Sequence, residues 1–140
     1  MEEPININVF CAFPMHGLST EVVDKRRHEL FERGIQCERE RLKEAREQRL
    51  STESMHCCLR PYDFITENTY KYTLLDQIHK ENVPEDAGRL WYLGDSIQIL
   101  DKAELVIFGK DWKDAKGCNV EMEACKQYDI PILVEGIDFE

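Results

Sequence analysis

The chain has 140 residues, 42% of them hydrophobic and 33% charged, a balance that suits one folded domain and excludes a disordered polyelectrolyte. A net charge of −10 repels polyanions, which excludes a nucleic-acid polymer or an anionic membrane as partner. A small anion held by backbone N–H groups is still allowed.

The opening "MEEPININ" is acidic and lacks the basic-then-apolar layout of a secretion signal. The longest apolar run, Val9 to Met15, is far too short to cross a bilayer. The expectation is a soluble cytoplasmic protein with no membrane partner. Ile5, Ile7, Val9 and Cys11 alternate with Asn6, Asn8 and Phe10, and Ala12 and Phe13 follow. This predicts a strand that is apolar on both faces in its later half, as at the centre of a covered sheet.

After the loop "PMHGLS" a helix begins, capped by Ser19 or Thr20, with Glu21 and Asp24 in its first turn and an inner stripe of Val23, Arg27, Leu30 and Phe31. Gly34 marks a break. From Cys37 to Gln48, "CERERLKEAREQ" has the i,i+4 charge spacing of a solvated helix. "STESMHCC" reads as a loop, and "LRPYDFI" as a second strand placed at an edge by Pro61. Around Tyr72, Leu75 and Ile78 the spacing predicts a short amphipathic helix ended by Pro84. Leu90, Leu93, Ile97 and Leu100 then predict a core-facing helix. "AELVIF" (Ala103 to Phe108) is a strand, Cys118 to Tyr128 a helix, and "IPILV" (Ile130 to Val134) the closing strand.

The six cysteines include no CxxC pair, so no disulfide framework is expected, and "MHCC" lacks a second half to make a metal site. Neither metal nor cofactor is expected. Strands alternating with helices indicate a single α/β domain over residues 1–140 with a parallel sheet. In such sheets ligands sit past the carboxyl ends of the strands, where strand order reverses. "PMHGLS" and "GKDWKDAKG" are the loops placed there.

The last helix carries the residue of most interest. With Glu121 as position i, Ala124, Cys125 and Tyr128 fall at i+3, i+4 and i+7, so one carboxylate shares a stripe with packable side chains. An acid in a first turn is ordinarily explained by the helix dipole and faces solvent. The stripe predicts instead a poorly hydrated carboxylate, suited to a nucleophile.

Three pieces, "FCAFPMHG", "AELVIFGKDW" and "KGCNVEMEACKQYDIPILV", resemble the nucleoside 2-deoxyribosyltransferase superfamily, in particular its small phage and bacterial deoxyribosyltransferase-like branch. The first is similar to that branch's Pro-Met-x-Gly loop, the second to its third strand and tryptophan loop, the third to its Gly-x-x-x-Glu helix start. The likeness spans the chain except for about residues 35 to 86. It implies a flavodoxin/Rossmann-like three-layer sandwich with a central parallel sheet of four to five strands. It further implies N-glycosidic chemistry on a small nucleoside or nucleotide, and a homo-oligomer. Glu121 falls at the family's nucleophile. Pro14, Met15, His16, Gly17 and Ser19 would cradle the sugar or a 5′-phosphate, with Gly117 opening the nucleophile's helix. Where the family has an aspartate six residues before the glutamate, this chain has Ala115; where it has Asp-Gly after the third strand, this chain has Gly109 and Lys110. Asp111 and Asp114 are the nearby replacements. These departures favour hydrolysis over base transfer.

Trp112 is placed either stacked on a base or packed over the sheet, and Asp95 either toward the pocket or on the surface. Arg26 and Arg27 read as solvated. The alternative function is a nucleotide-binding module that senses or sequesters its ligand without turnover.

Overall fold

The computed structural model describes residues 4–51, 70–76 and 83–140. Four strands, β1 (Ile5–Ala12), β2 (Tyr70–Leu74), β3 (Leu105–Phe108) and β4 (Ile132–Val134), form one parallel sheet in the order β2-β1-β3-β4. Three helices, α1 (Thr20–Ser51), α2 (Arg89–Leu100) and α3 (Lys116–Gln127), complete an α/β sandwich of the Rossmann or flavodoxin-like kind. β1 pairs with β2 from Ile5↔Tyr70 to Val9↔Leu74 and with β3 from Val9↔Leu105 to Ala12↔Phe108, so it is central.

Period-two alternation sorts the strand side chains onto two cores. Ile7, Val9, Cys11, Leu105, Ile107 and Leu133 pack under α1 against Leu30 and Ile35. On the opposite face Phe10, Ala12, Val106, Phe108 and Val134 pack against Leu100 of α2 and Cys118, Met122 and Cys125 of α3. Both faces are therefore dry over β3 and the second half of β1, which accounts for the unbroken apolar text of "VFCAF" and "LVIF". Burying a side chain the size of Phe10 contributes about 2–3 kcal/mol, so these strands carry much of the fold.

Several local expectations change. Residues 70–74 form an edge-pairing strand rather than the first turns of a helix: Tyr70, Tyr72 and Leu74 lie on one face and Lys71 and Thr73 on the other. The aromatic and β-branched content of "YKYTL" fits a half-covered strand, and the ladder to β1 outweighs the weak helical spacing. The strand expected at residues 59–65, and the segment with Cys57 and Cys58, lie outside the described residues. Gly34 does not break the helix. It lies close against the sheet, where a Cβ would overlap Ile107 Cδ1. The charged segment continues α1 but is not wholly solvated, since Glu38 is fully buried and its Oε1 accepts from Arg41 Nη2 at 2.6 Å. Arg27 is buried as well. Leu90, expected on the core stripe of its helix, is 80% exposed. Among the described residues no helix is long and apolar enough to cross a membrane.

Candidate active site

Strand order reverses between β1 and β3, and the chain's two unusual loops leave the sheet there. After β1 the chain turns tightly: Leu18 N–H donates to Met15 O at 3.1 Å, and Gly17 takes φ 79°. A left-handed residue at the third position of such a turn favours glycine, which accounts for "MHGL". Ser19 Oγ then accepts from Val22 N–H at 3.2 Å and caps α1. Among the described residues the N–H groups of His16 and Gly17 donate to no protein acceptor.

After β3 the chain runs through a short 3₁₀ turn (Trp112–Asp114) into α3. Asn119 Nδ2 holds this loop by donating to Lys113 O at 3.0 Å and Ala115 O at 2.8 Å. Between the two loops and the start of α2 lies a cavity of about 730 Å³. Its walls are Pro14 and His16 from the first loop, Arg89, Leu90 and Leu93 from α2, and Asp114 to Gly117 with Val120 from the second loop and α3. The volume suits a ligand of nucleoside size.

Glu121 stands just behind this wall. Its side chain is only 7% exposed, and among the described residues it has neither a hydrogen bond nor an ion pair. Gly117 lies beside it: a Cβ there would stand 3.9 Å from Glu121 Oε1 and 3.7 Å from Leu93 Cδ1. Burial without a partner raises the Glu121 carboxyl from 4.5 to about 7. Its neighbours feel the charge. The Cys118 and Cys125 thiols are pushed up to about 12, first by burial and then by Glu121. These thiols are core residues with no nucleophilic character at neutral pH.

Comparison with protein-family models, curated proteins and solved structures finds no match. The geometry of the site itself therefore carries the functional reading.

Of the residues singled out from the sequence, Pro14, His16 and Gly117 meet at the cavity, with Glu121 behind Gly117. Met15 is half-buried against the α1-side core, and Ser19 is occupied as the helix cap. Trp112 packs edge-on against Phe108 with centroids 5.9 Å apart, so packing over the sheet accounts for it. Asp95 does not line this cavity; it lies on α2 beside Trp91 and Gln98, along a second depression that shares Leu90 with it. Tyr128, expected on the Glu121 stripe, is 80% exposed; the inner face of α3 is Cys118, Glu121, Met122 and Cys125.

Asp111 is held by a charge cluster that sequence reasoning missed. Arg26 Nη2 lies 2.8 Å from Asp111 Oδ1 and 3.7 Å from Glu135 Oε1, and its guanidinium lies over the Phe13 ring at 5.2 Å. Glu135, 5% exposed, also pairs with Arg33 and accepts from Lys110 N–H at 3.0 Å. The cluster ties α1, the end of β4 and the loop after β3 together. No local signal announces it, because Arg26 and Asp111 are 85 residues apart in sequence. Among the described residues no three His, Cys, Asp or Glu side chains are grouped to hold a metal ion.

Proposed function

We propose that the protein is a deoxyribosyltransferase-like N-glycosidase that cleaves a deoxynucleoside or its 5′-monophosphate through a Glu121 nucleophile. The observation that carries this reading is a buried, unpartnered carboxylate beside Gly117, a residue in the wall of a nucleoside-sized cavity. Folding a carboxylate into such a place is costly and is not explained by packing, which an apolar side chain would do better.

In the proposed reaction a Glu121 oxygen attacks the anomeric carbon as the C–N bond breaks. The bond's electron pair leaves with the base nitrogen, which takes a proton from water. A glycosyl ester on Glu121 results, and a second water attacks the same carbon, freeing the sugar and restoring the carboxylate, while the proton this water releases neutralises the hydroxide left by the first. An oxocarbenium-like transition state next to the carboxylate is stabilised by its charge, the more so in a site poor in water. Only the ionised form attacks, so the rate should rise with pH through about 7, where Glu121 titrates. With Ala115 contributing no carboxylate, water rather than a second base is the favoured acceptor. We place the protein in the cytoplasm as a homo-oligomer, whose second copy would cover the apolar cavity rim at Leu90 and Val120.

The test is incubation of native protein and Glu121→Gln with deoxynucleosides and their 5′-monophosphates, reading free base by chromatography. Native protein should release base, and the variant should be slower by about a thousand-fold or more. Equal release by both removes Glu121 from the mechanism. A second reading, binding without turnover, is favoured by one observation: Asp111, the nearest replacement for a missing family carboxylate, is already engaged by Arg26. A monophosphate that stabilises the protein and is recovered intact after long incubation would support it.

A further inference from the structure

A base that leaves a sugar carbon takes the electron pair of the C–N bond with it and needs a proton to leave as a neutral molecule. The cavity makes that need acute. Pro14, Leu90, Leu93, Ala115 and Val120 give its wall a largely apolar surface, on which a departing anion would be poorly solvated. Four side chains on the wall have polar ends: His16, Arg89, Asp114 and Lys116. A guanidinium keeps its proton in proteins, and an ammonium gives its proton up poorly near neutral pH. Asp114 is exposed and offers acceptor oxygens. Asp111 is engaged by Arg26 at 2.8 Å and does not line the cavity, and Glu121 is needed unprotonated as the nucleophile. His16 remains, and imidazole is the side chain that both gives and takes a proton near neutral pH.

Its placement suits that part. Leu18 N–H closes back on Met15 O at 3.1 Å and Gly17 takes φ 79°, which puts His16 at the second position of a tight turn. This turn follows β1, whereas Gly117 and Glu121 belong to α3, so His16 and Gly117 lie on different walls of one cavity. Displacement at a sugar carbon calls for its nucleophile and its proton donor on separate sides of the bond that breaks. Among the described residues the His16 ring has no hydrogen bond or ion pair, so nothing holds it back from a ligand.

We infer that His16 gives the departing base its proton and, in the second half of the reaction, takes the proton of the attacking water. The inference rests on the glycosidic reading and deepens it, with His16 in place of the water that would otherwise protonate the base. In the first step a Glu121 oxygen bonds to the anomeric carbon as the C–N pair passes into the base. The His16 imidazolium gives its proton to a ring nitrogen of that base, in a purine the one at position 7. The base leaves neutral, and the imidazole is neutral too. In the second step water bonds to the same carbon, its proton passes to the His16 imidazole, and the ester electron pair returns to Glu121. Both residues end as they began.

The experiment measures base release by native protein, His16→Gln and Glu121→Gln, with spontaneous release subtracted. Substrates are a purine deoxynucleoside, its 5′-monophosphate, and the 7-methyl form of each. Methylation puts a positive charge where the proton would go, so that base departs neutral without a donor. His16→Gln should slow the unmethylated pair by about 100-fold or more and barely slow the methylated pair. Glu121→Gln should slow all of them. Added imidazole should restore part of the activity that His16→Ala loses on the unmethylated pair. An imidazole donates only while charged, and the charges around it on the wall are Arg89, Asp114 and Lys116, with Glu121 behind Gly117. The rise in rate with pH set by Glu121 should therefore turn over on the unmethylated pair and continue on the methylated pair. His16 is exposed on a loop, so its loss should leave the fold intact, which circular dichroism checks.

Equal slowing of both pairs by His16→Gln would make His16 a binding or structural residue and overturn the inference, as would no slowing of the unmethylated pair. The two levels separate cleanly. Base release that needs Glu121 and is indifferent to His16 sinks the proton donor and leaves the glycosidic reading standing. Release that needs His16 on the unmethylated pair alone, with Glu121→Gln undiminished, supports the donor and removes the Glu121 nucleophile. No protein-dependent release from any substrate sinks both.

Discussion

Glu121 and Glu135 are both buried acids at the carboxyl end of the sheet, 7% and 5% exposed, yet their surroundings are opposite. Glu135 meets two arginines and a backbone N–H, so its charge is compensated where it sits. Glu121 has none of these and is shifted by burial alone. The difference has a thermodynamic consequence. Because the folded carboxyl titrates near 7 and the unfolded one near 4.5, the folded state holds the proton more tightly. Stability therefore falls as pH rises from about 4.5 to about 7 and carries the full penalty above that, a cost of about 3 kcal/mol at most. Glu121→Gln should raise the unfolding free energy at pH 8 by up to that amount and change it little below pH 4.5, measured by urea denaturation at the two pH values. An acid present only to complement the helix dipole would behave the other way, its loss costing about 0.3–1 kcal/mol at neutral pH.

At the scale of elements, α1 shows what a helical text conceals. Its charged second half looks uniformly solvated, yet Glu38, Leu42 and Ala45 are buried, and the Glu38–Arg41 pair runs along the helix itself. Three-residue spacing makes that pair legible; the burial is not, because it depends on what the helix packs against. Gly34 is a similar case. In a free helix, alanine there would help by about 1 kcal/mol. In this sandwich the added methyl meets Ile107, so Gly34→Ala should instead destabilise by about 1–3 kcal/mol in chemical denaturation. Pairing it with Ile107→Val should recover part of the loss, since the shortened side chain vacates the space. In α3 the apolar spacing correctly put Glu121 inward beside Cys125 but put Tyr128 inward too. The helix ends at Gln127, with Tyr128 as its cap, so the periodicity no longer applies there.

For the whole molecule, the parallel α/β architecture was legible because it follows from strong patterns: two doubly apolar strands, a closing "IPILV", and helices between them. Short β2 was not, since five residues of alternation were overridden by helical spacing that reached to Ile78. The site was partly legible. Its loops could be placed because parallel sheets put ligands at strand ends, and Glu121 could be found because one acid sat on an apolar stripe. The Arg26–Asp111–Glu135 cluster was invisible, being assembled from α1, the loop after β3 and the end of β4.

The central claim is that Glu121 attacks sugar carbon, and the most direct measurement is the mass of its peptide after acid quenching of native protein turning over a purine deoxynucleoside 5′-monophosphate. A gain equal to one deoxyribosyl phosphate on the peptide containing Glu121, absent in Glu121→Gln, is the predicted result. Base release that proceeds with no such adduct, and at an undiminished rate in the variant, would contradict the account.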